Sequence, residues 1–315
     1  MKKYLILLLC VLWAGGGCSR SKNYRQDQEY FRGDNKSKST LNTKFEKMGQ
    51  PKKKLFVLNF MNDTPFGDDK IGAEASQELT RILKTSSKVV INEEMKSQDS
   101  SRDFYSGDKI RLSPLIREGK RLGVTLIIVG KLKRVKYRQK GDDVGLFRQK
   151  KALAAVDLEM RIFDCAEGKE IMMDEKSADS SSSKMNIFGE DESADVKEQR
   201  LELVIEAVRN AVRMLASDTN RALDKISWEG RIAKISAGRL FINAGRASGL
   251  NVGDILKVMT PGEDVYDPLT SAYMGRSPGQ PKGTVEVVDF LGTDGAIAIV
   301  HSGGGFFEGD GVQLY

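Results

Sequence analysis

Cys18 is the residue whose surroundings point most directly to chemistry. Lys2 and Lys3 precede an apolar run over residues 4–14, three glycines follow at 15–17, and then comes the cysteine. Positive charge, a short apolar core and small residues are the layout of a secretion leader. About eleven apolar residues fall short of the ~20 needed to span a bilayer, so an uncleaved helix is disfavoured. A thiol that becomes the first residue after cleavage is a nucleophile available for lipid attachment. Other residues offer less. His301 is the sole histidine, with no cysteine or histidine cluster around it, which argues against an ordinary metal site. The glycines at 303–305 precede a strand and not a helix, so they do not form a phosphate-binding loop. Asp254 and Asp310 stand in two similar Gly-Asp turns; a cation-binding carboxylate pair is the sharper reading of them, and capping of backbone amides is the plainer and favoured one. Cys165 is a lone thiol beside a strand end, read as a buried small hydrophobe. The expectation is a protein without enzymatic activity, cofactor or metal.

The leader resembles the bacterial lipoprotein box. The resemblance implies that Cys18 carries lipid and becomes the mature amino terminus. Gly15 departs from the aliphatic residue usual three places before the cysteine, and a plain signal peptide with an incidental cysteine is the alternative. If Cys18 is lipidated and Cys10 is removed with the leader, no intramolecular disulfide is possible.

Residues 19–54 hold eleven Lys or Arg against four Asp or Glu. Few aliphatics and no periodicity mean too little apolar surface to offset ordering entropy, so this segment reads as a basic tether. The whole chain is +6; the tether contributes +7 and the two leader lysines +2, leaving −3 for residues 55–315. The basic pI therefore belongs to the tether. That argues against a nucleic-acid interface, which needs a basic face on a folded domain. It suits anionic head groups or cell-wall polymers, or simply solubilises the segment.

The elements that must position any site fall into two groups, giving a division into leader 1–17, tether 18–52, α/β domain 53–226 and β-domain 227–315. Residues 55–62 form an apolar strand closed by a turn. Ile71, Ala75, Leu79, Ile82 and Leu83 then recur at helical spacing. A strand at 89–91, a polar loop at 98–107, a helix marked by Leu112, Leu115, Ile116, Gly119 and Leu122, and a β-branched strand at 124–129 ended by Gly130 complete a strand–helix alternation, which places helices on a sheet. Val156, Leu158, Met160 and Ile162 alternate with polar residues, so that strand buries one face. Its partner starts near Lys131 and pairs with it across a polar insertion at 136–151. Another hairpin turn, at 166–169, leads to a strand at 170–176. A second insertion, at 177–196, contains the serine tract 180–183. From Ser193, a stripe of Val204, Val208, Ala211, Leu215, Thr219, Ala222 and Ile226 defines a helix long enough to cross the sheet.

The segment KLFVLNFMNDTPFGDDKIGAEASQELTRIL, with LIREGKRLGVTLIIVGKL and AVDLEMRIFDCAEGKEI, resembles the periplasmic fold of curli-secretion channel lipoproteins, lipoprotein activators of penicillin-binding proteins and the amino-terminal domain of TolB. The likeness spans about residues 53–226 and implies a mixed α/β sheet with packed helices. Curli channels extend two hairpins into the membrane. Here the corresponding insertions lack an alternating apolar band, and the first is charged throughout, which would cost several kcal/mol in lipid. A membrane pore is therefore not expected.

From Trp228 the helical period gives way to short strands punctuated by glycine at 229–235, 239–243, 254–259, 283–290, 296–301 and 311–314, the pattern of a small all-β barrel or sandwich. GLNVGDILKV and GFFEGDGVQL form a weak internal repeat. The run from WEGRIAKISAGRLFINAGRASGLNVGDILKV to the carboxy terminus is similar to the carboxy-terminal β-domain of the flagellar H-ring protein, although that family has a further globular domain in front and no lipid cysteine. Together the resemblances imply a lipid-anchored protein on the periplasmic face of the outer membrane. It would be an assembly component of an envelope machine such as a flagellar basal-body ring, able to form a homo-oligomeric ring and to contact flagellar ring proteins. The alternative is a regulatory lipoprotein acting on a cell-wall synthase or serving a secretion system.

Overall fold

The computed structural model describes residues 50–91, 100–141, 150–182 and 194–315, and these residues contain a mixed sheet with packed helices and a closed β-barrel. Cys18 and nearly all of the basic tether lie outside the described residues. Lys53 and Lys54, the last of the basic run, are the first residues of a strand.

The sheet contains β1 (Lys53–Val57), β2 (Met61–Asn62), β3 (Val89–Val90), β6 (Leu126–Gly141), β7 (Lys150–Asp164) and β8 (Lys169–Ser182). Its order is β3-β1-β6-β7-β8, with β2 also beside β6. The β1, β2 and β3 pairings are parallel, whereas β6, β7 and β8 form an antiparallel meander. Helix α1 (Lys70–Lys84) buries Ile71, Ala75, Leu79 and Leu83 as its spacing requires. Helix α2 (Leu112–Leu122) ends on Gly123, whose φ of +68° makes it a left-handed cap. Helix α3 (Ala194–Leu223) lies on β7 and β8 and buries Val204, Val208, Ala211, Val212, Leu215 and Thr219. Each fully buried Val or Leu there contributes about 1.5–3 kcal/mol.

Several elements depart from the sequence reading. Strand β6 does not end at Gly130 but runs on to Gly141. Gly130 is required there because the ring of Phe60 lies against it, in the space that the Cβ of any other residue would occupy. The polar insertion at 136–151 is largely ladder: Lys136 pairs with Ala155 and Gly141 with Lys150, and only 142–149 lie outside the described residues. Strand β8 continues through the serine tract, where Ser180 is buried and donates to the Leu203 carbonyl at 2.5 Å beneath α3. The polar loop at 98–107 contains a short 3-10 turn (Ser101–Phe104) followed by β4 (Tyr105–Ser106), which pairs with β5 (Lys109–Ile110). Phe104 anchors this segment in a second small core with Leu115, Ile127, Phe163 and Cys165.

The barrel consists of β9 (Gly230–Ser236), β10 (Arg239–Ile242), β11 (Ile255–Met259), β14 (Pro281–Leu291), β15 (Gly295–Gly303) and β16 (Gly311–Leu314), closed in the order β10-β15-β14-β11-β16-β9. Residues 260–280, between β11 and β14, carry an additional two-stranded arm, β12 (Asp264–Tyr266) with β13 (Tyr273–Arg276), which the sequence reading missed. Trp228, Ile232, Leu240, Leu256, Val258, Val285 and Val287 fill the barrel.

The weak sequence repeat is a real duplication of structure. Strands β9, β10 and β11 occupy the same relations as β14, β15 and β16: each trio opens with a hairpin, and the third strand of each pairs with the first strand of the other. The hairpins even share a bulge, leaving Ala233 unpaired in one and Val288 in the other. Asn251 N–H donates to Asp254 at 2.7 Å and Phe307 N–H to Asp310 at 2.8 Å, so both aspartates cap backbone amides. Gly253 and Gly309, at φ +91° and +97°, supply the left-handed step before each.

Candidate functional site

A cleft of about 660 Å³ lies where the sheet meets the barrel. Three short pieces of the α/β part form one side: the end of α2 with residues 123–125, the β7–β8 turn, and the linker residue Glu229. The turn is built by Asp164, whose carboxylate accepts the Ala166 and Glu167 amides at 2.7 and 3.0 Å. Gly168, at φ +67°, completes it and lies against the Tyr273 hydroxyl of the arm. The barrel side comprises Arg231, Met259, the loops 260–262 and 274–279, and glycines 309 and 311.

Several interactions tie the two sides together. Lys54 forms an ion pair with Asp294 at 3.2 Å and donates to the Asn243 carbonyl. Asp294 also accepts Gly245 N–H, Ser248 N–H and Ser248 Oγ at 2.8, 2.8 and 2.5 Å. Burial pushes the Asp294 carboxyl up, but these hydrogen bonds and the Lys54 charge outweigh it and hold the group below its ordinary value. Lys52 N–H donates to the Ser248 carbonyl at 2.7 Å, and Thr125 Oγ1 to the Glu229 carbonyl at 3.2 Å. Lys120 reaches Asp264 of the arm at 3.6 Å.

The cleft is charged. Lys120, Lys169, Arg231 and Arg276 line it, against the carboxylates Glu167 and Glu229. Lys169 pairs with Glu167, while Arg276 lies 3.6 Å from Asp264 and donates to the Gly262 carbonyl at 2.6 Å. Arg231 differs. Its backbone amide is held by Asn243 Oδ1 at 2.7 Å, yet among the described residues its guanidinium has no carboxylate within 4.0 Å and makes no hydrogen bond. Burial raises the Glu229 carboxyl to about 7, helped by the negative charge of Asp164 and Glu167 and opposed by Arg231 and Arg276. Gly311 leaves room for that carboxyl, since a Cβ there would fall 2.7 Å from Glu229 Oε1.

The residues singled out in the sequence are not brought together here. Cys18 lies outside the described residues. Cys165 is 2% exposed, pressed against Gly119, and burial pushes its thiol up, so it stays protonated and unreactive. His301 is exposed on β15, with Nδ1 3.1 Å from Thr284 Oγ1, and does not line the cleft. Asp310 is buried and pairs with Lys282 at 2.7 Å. Among the described residues no cluster of His, Cys, Asp and Glu is arranged to hold a metal ion, and no helix is long and apolar enough to cross a membrane.

The polar face of β7 is also not the solvated surface its alternation suggests. Glu159 and Asp157 are 4% and 8% exposed. Glu159 is covered by Arg161 at 2.7 Å, Lys133 at 3.6 Å and the Tyr105 hydroxyl at 3.3 Å. Asp157 is held by Arg134 and by Ser177 at 2.7 Å. This charge is internally matched. Sequence reasoning did not single out Glu229, Arg231, Lys120 or Arg276. The available signal was the Trp228-Glu229-Gly230-Arg231 run at the boundary between the two patterns, a place where ligand sites often form.

No family model matches the chain, and no curated protein matches it. Solved structures do. CT253 from Chlamydia trachomatis is 17% identical with a TM-score of 0.34, over 53% of this chain and 96% of its own. Lipoprotein GNA1162 from Neisseria meningitidis is 11% identical with a TM-score of 0.26, over 50% and 99%. The LpoB C-terminal domain from Salmonella enterica is 14% identical with a TM-score of 0.25, over 41% and 83%. Bacterial lipoproteins are thus among the structures this chain is similar to. At these scores, the description of the fold rests on its own strand order and register.

Proposed function

We propose that this protein is a non-enzymatic lipoprotein, anchored through Cys18 to the periplasmic face of the outer membrane, that acts by holding other envelope proteins together. The leader carries this reading: two lysines, a short apolar run, three glycines and a cysteine. Among the described residues the buried thiol, the histidine and the cleft carboxyl sit in separate surroundings, and His301 with its Thr284 neighbour lies away from the cleft, which favours binding over turnover. A homo-oligomeric ring belongs to the same reading, and a flagellar ring is the machine that the resemblance of the β-domain implies. Regulation of a cell-wall synthase is the second reading, favoured by the cationic cleft, which offers a partner a defined seat.

Replacing Cys18 with Ser should move the protein from the membrane fraction to the soluble periplasmic fraction and abolish incorporation of labelled fatty acid. Retention of the variant in the membrane without lipid would overturn the anchor. Light scattering separates ring from regulator, since a strict monomer at every concentration favours the regulator. Reproducible ion conductance in planar bilayers would overturn the scaffold.

A further inference from the structure

We propose that the cleft between sheet and barrel binds a carboxylate-bearing peptide segment, with Arg231 receiving the carboxylate and the paired loops 260–262 and 277–279 forming the wall along which the peptide lies. Charge supplies the first argument. Residues 55–315 are net negative, yet four cations and two carboxylates line this cleft, the reverse of the surrounding body. Among those cations, Lys169, Lys120 and Arg276 already have carboxylate neighbours within the protein. Arg231 has none within 4.0 Å among the described residues, and its planar fork suits a carboxylate in two-point contact.

Shape and lining supply the second argument. About 660 Å³ falls within the range of clefts that accept small ligands or short peptides. The two loops are zipped into one wall: Gly262 packs against the Ser277 carbonyl and Gly279 against the Thr260 carbonyl, each so closely that a Cβ would overlap the oxygen. Met259, Met274, Pro261 and Pro278 add an apolar lining for side chains flanking the carboxylate.

Glu229 makes the site respond to pH. It shares the cleft with Arg231 and is faced by Asp164 and Glu167 from the β7–β8 turn, Arg276 from the arm, and Lys120 and Lys169 from the cleft wall. Below pH 7 it is largely protonated, and Arg231 is free to attract an anion. Above pH 7 it ionises and competes for the same cation. Binding of an acidic peptide should therefore take up a proton and weaken as the pH rises.

Fluorescence polarisation on the full chain in detergent tests this with a labelled pentapeptide, Gly-Ala-Val-Ala-Glu, in three forms: carboxyl-terminal amide with Glu last, free acid with Gln last, and amide with Gln last. The first two separate a side-chain carboxylate from a terminal one, and the third carries neither. Binding of either acidic form but not the neutral one at pH 6 is expected, weakening by about tenfold at pH 8.5. Arg231→Gln should weaken binding at least tenfold, Arg231→Lys should restore only part of it because an ammonium cannot make the two-point contact, and Glu229→Gln should remove the pH dependence. Equal binding of all three peptides, no binding of either acidic form at millimolar concentration, or an Arg231→Gln variant that folds and binds like the parent would overturn the proposal. None of these outcomes depends on the lipid anchor or on ring formation, so failure here leaves the function proposed above standing, and the reverse.

Discussion

The two halves of the barrel use the same turn and different surroundings. Asp254 and Asp310 stand 56 positions apart, follow a left-handed glycine and cap an amide three residues earlier. The hydrogen bonds next to the turns also correspond: Gly253 N–H donates to the Val287 carbonyl and Val287 N–H to that of Asp254, while Gly309 N–H donates to the Ile232 carbonyl and Ile232 N–H to that of Asp310. Around this shared frame the halves diverge. Asp310 is 1% exposed and paired with Lys282, whose ammonium also lies 4.5 Å from the centre of the Phe307 ring, whereas Asp254 is 8% exposed and has no cation on it among the described residues. The first half instead meets the sheet through the carbonyls of Asn243 and Ser248 and carries the titrating linker at Glu229, while the second half meets it through the Lys54–Asp294 ion pair. Backbone geometry was kept in both copies, and the side chains that differ are those meeting something outside the barrel or sealing its far half.

The largest effect should come from Asp310→Ala, which removes the cap on Phe307 and leaves Lys282 without its counter-charge, costing about 3–5 kcal/mol; Asp254→Ala loses only a cap and should cost about 1 kcal/mol. Urea unfolding measures both, and equal losses would break the comparison. Next comes Glu229→Gln. The folded-state carboxyl titrates near 7 against 4.5 for the free group, so the folded protein holds a proton that the unfolded chain has released. The stability this confers is full below pH 4.5 and is lost as the pH rises through about 7. Gln cannot ionise, so the variant should exceed the parent by up to roughly 3 kcal/mol at pH 8.5 and match it at pH 4. A constant difference across that range would show that the shift does not arise at this carboxyl. Smaller again than Asp310→Ala and Glu229→Gln should be Gly253→Ala and Gly309→Ala, each costing about 1–2 kcal/mol for a side chain in the left-handed region, and alike in size because the two turns share their backbone.

Most barrel strands were legible in the sequence because glycine and Asp mark their ends, and the Gly-Asp turns declared both their chemistry and their repeat. The 260–280 arm was not, since Pro, Gly and charged residues there give no alternation and its pairing is only a few residues long. Gly130 misled for a different reason: a glycine in a strand reads as a stop, and only the position of Phe60, seventy residues earlier, shows it to be a packing requirement. The helices of the sheet were legible from their apolar spacing, because each packs a single stripe on the sheet. The cleft was not, because its charges come from chain segments far apart, and Glu229 is one carboxylate among many until the fold buries it.

The exchange of third strands has one more consequence. Strand β11 is held by β14 and β16, and β16 by β11 and β9, so each trio finishes the other's wall and neither encloses a core by itself. A chain break in the arm near Ser271 would leave two interlocked pieces, each supplying half the staves of a single cask. The arm is thus the seam where the chain passes from one half of the cask to the other, and it lies outside the ring of staves.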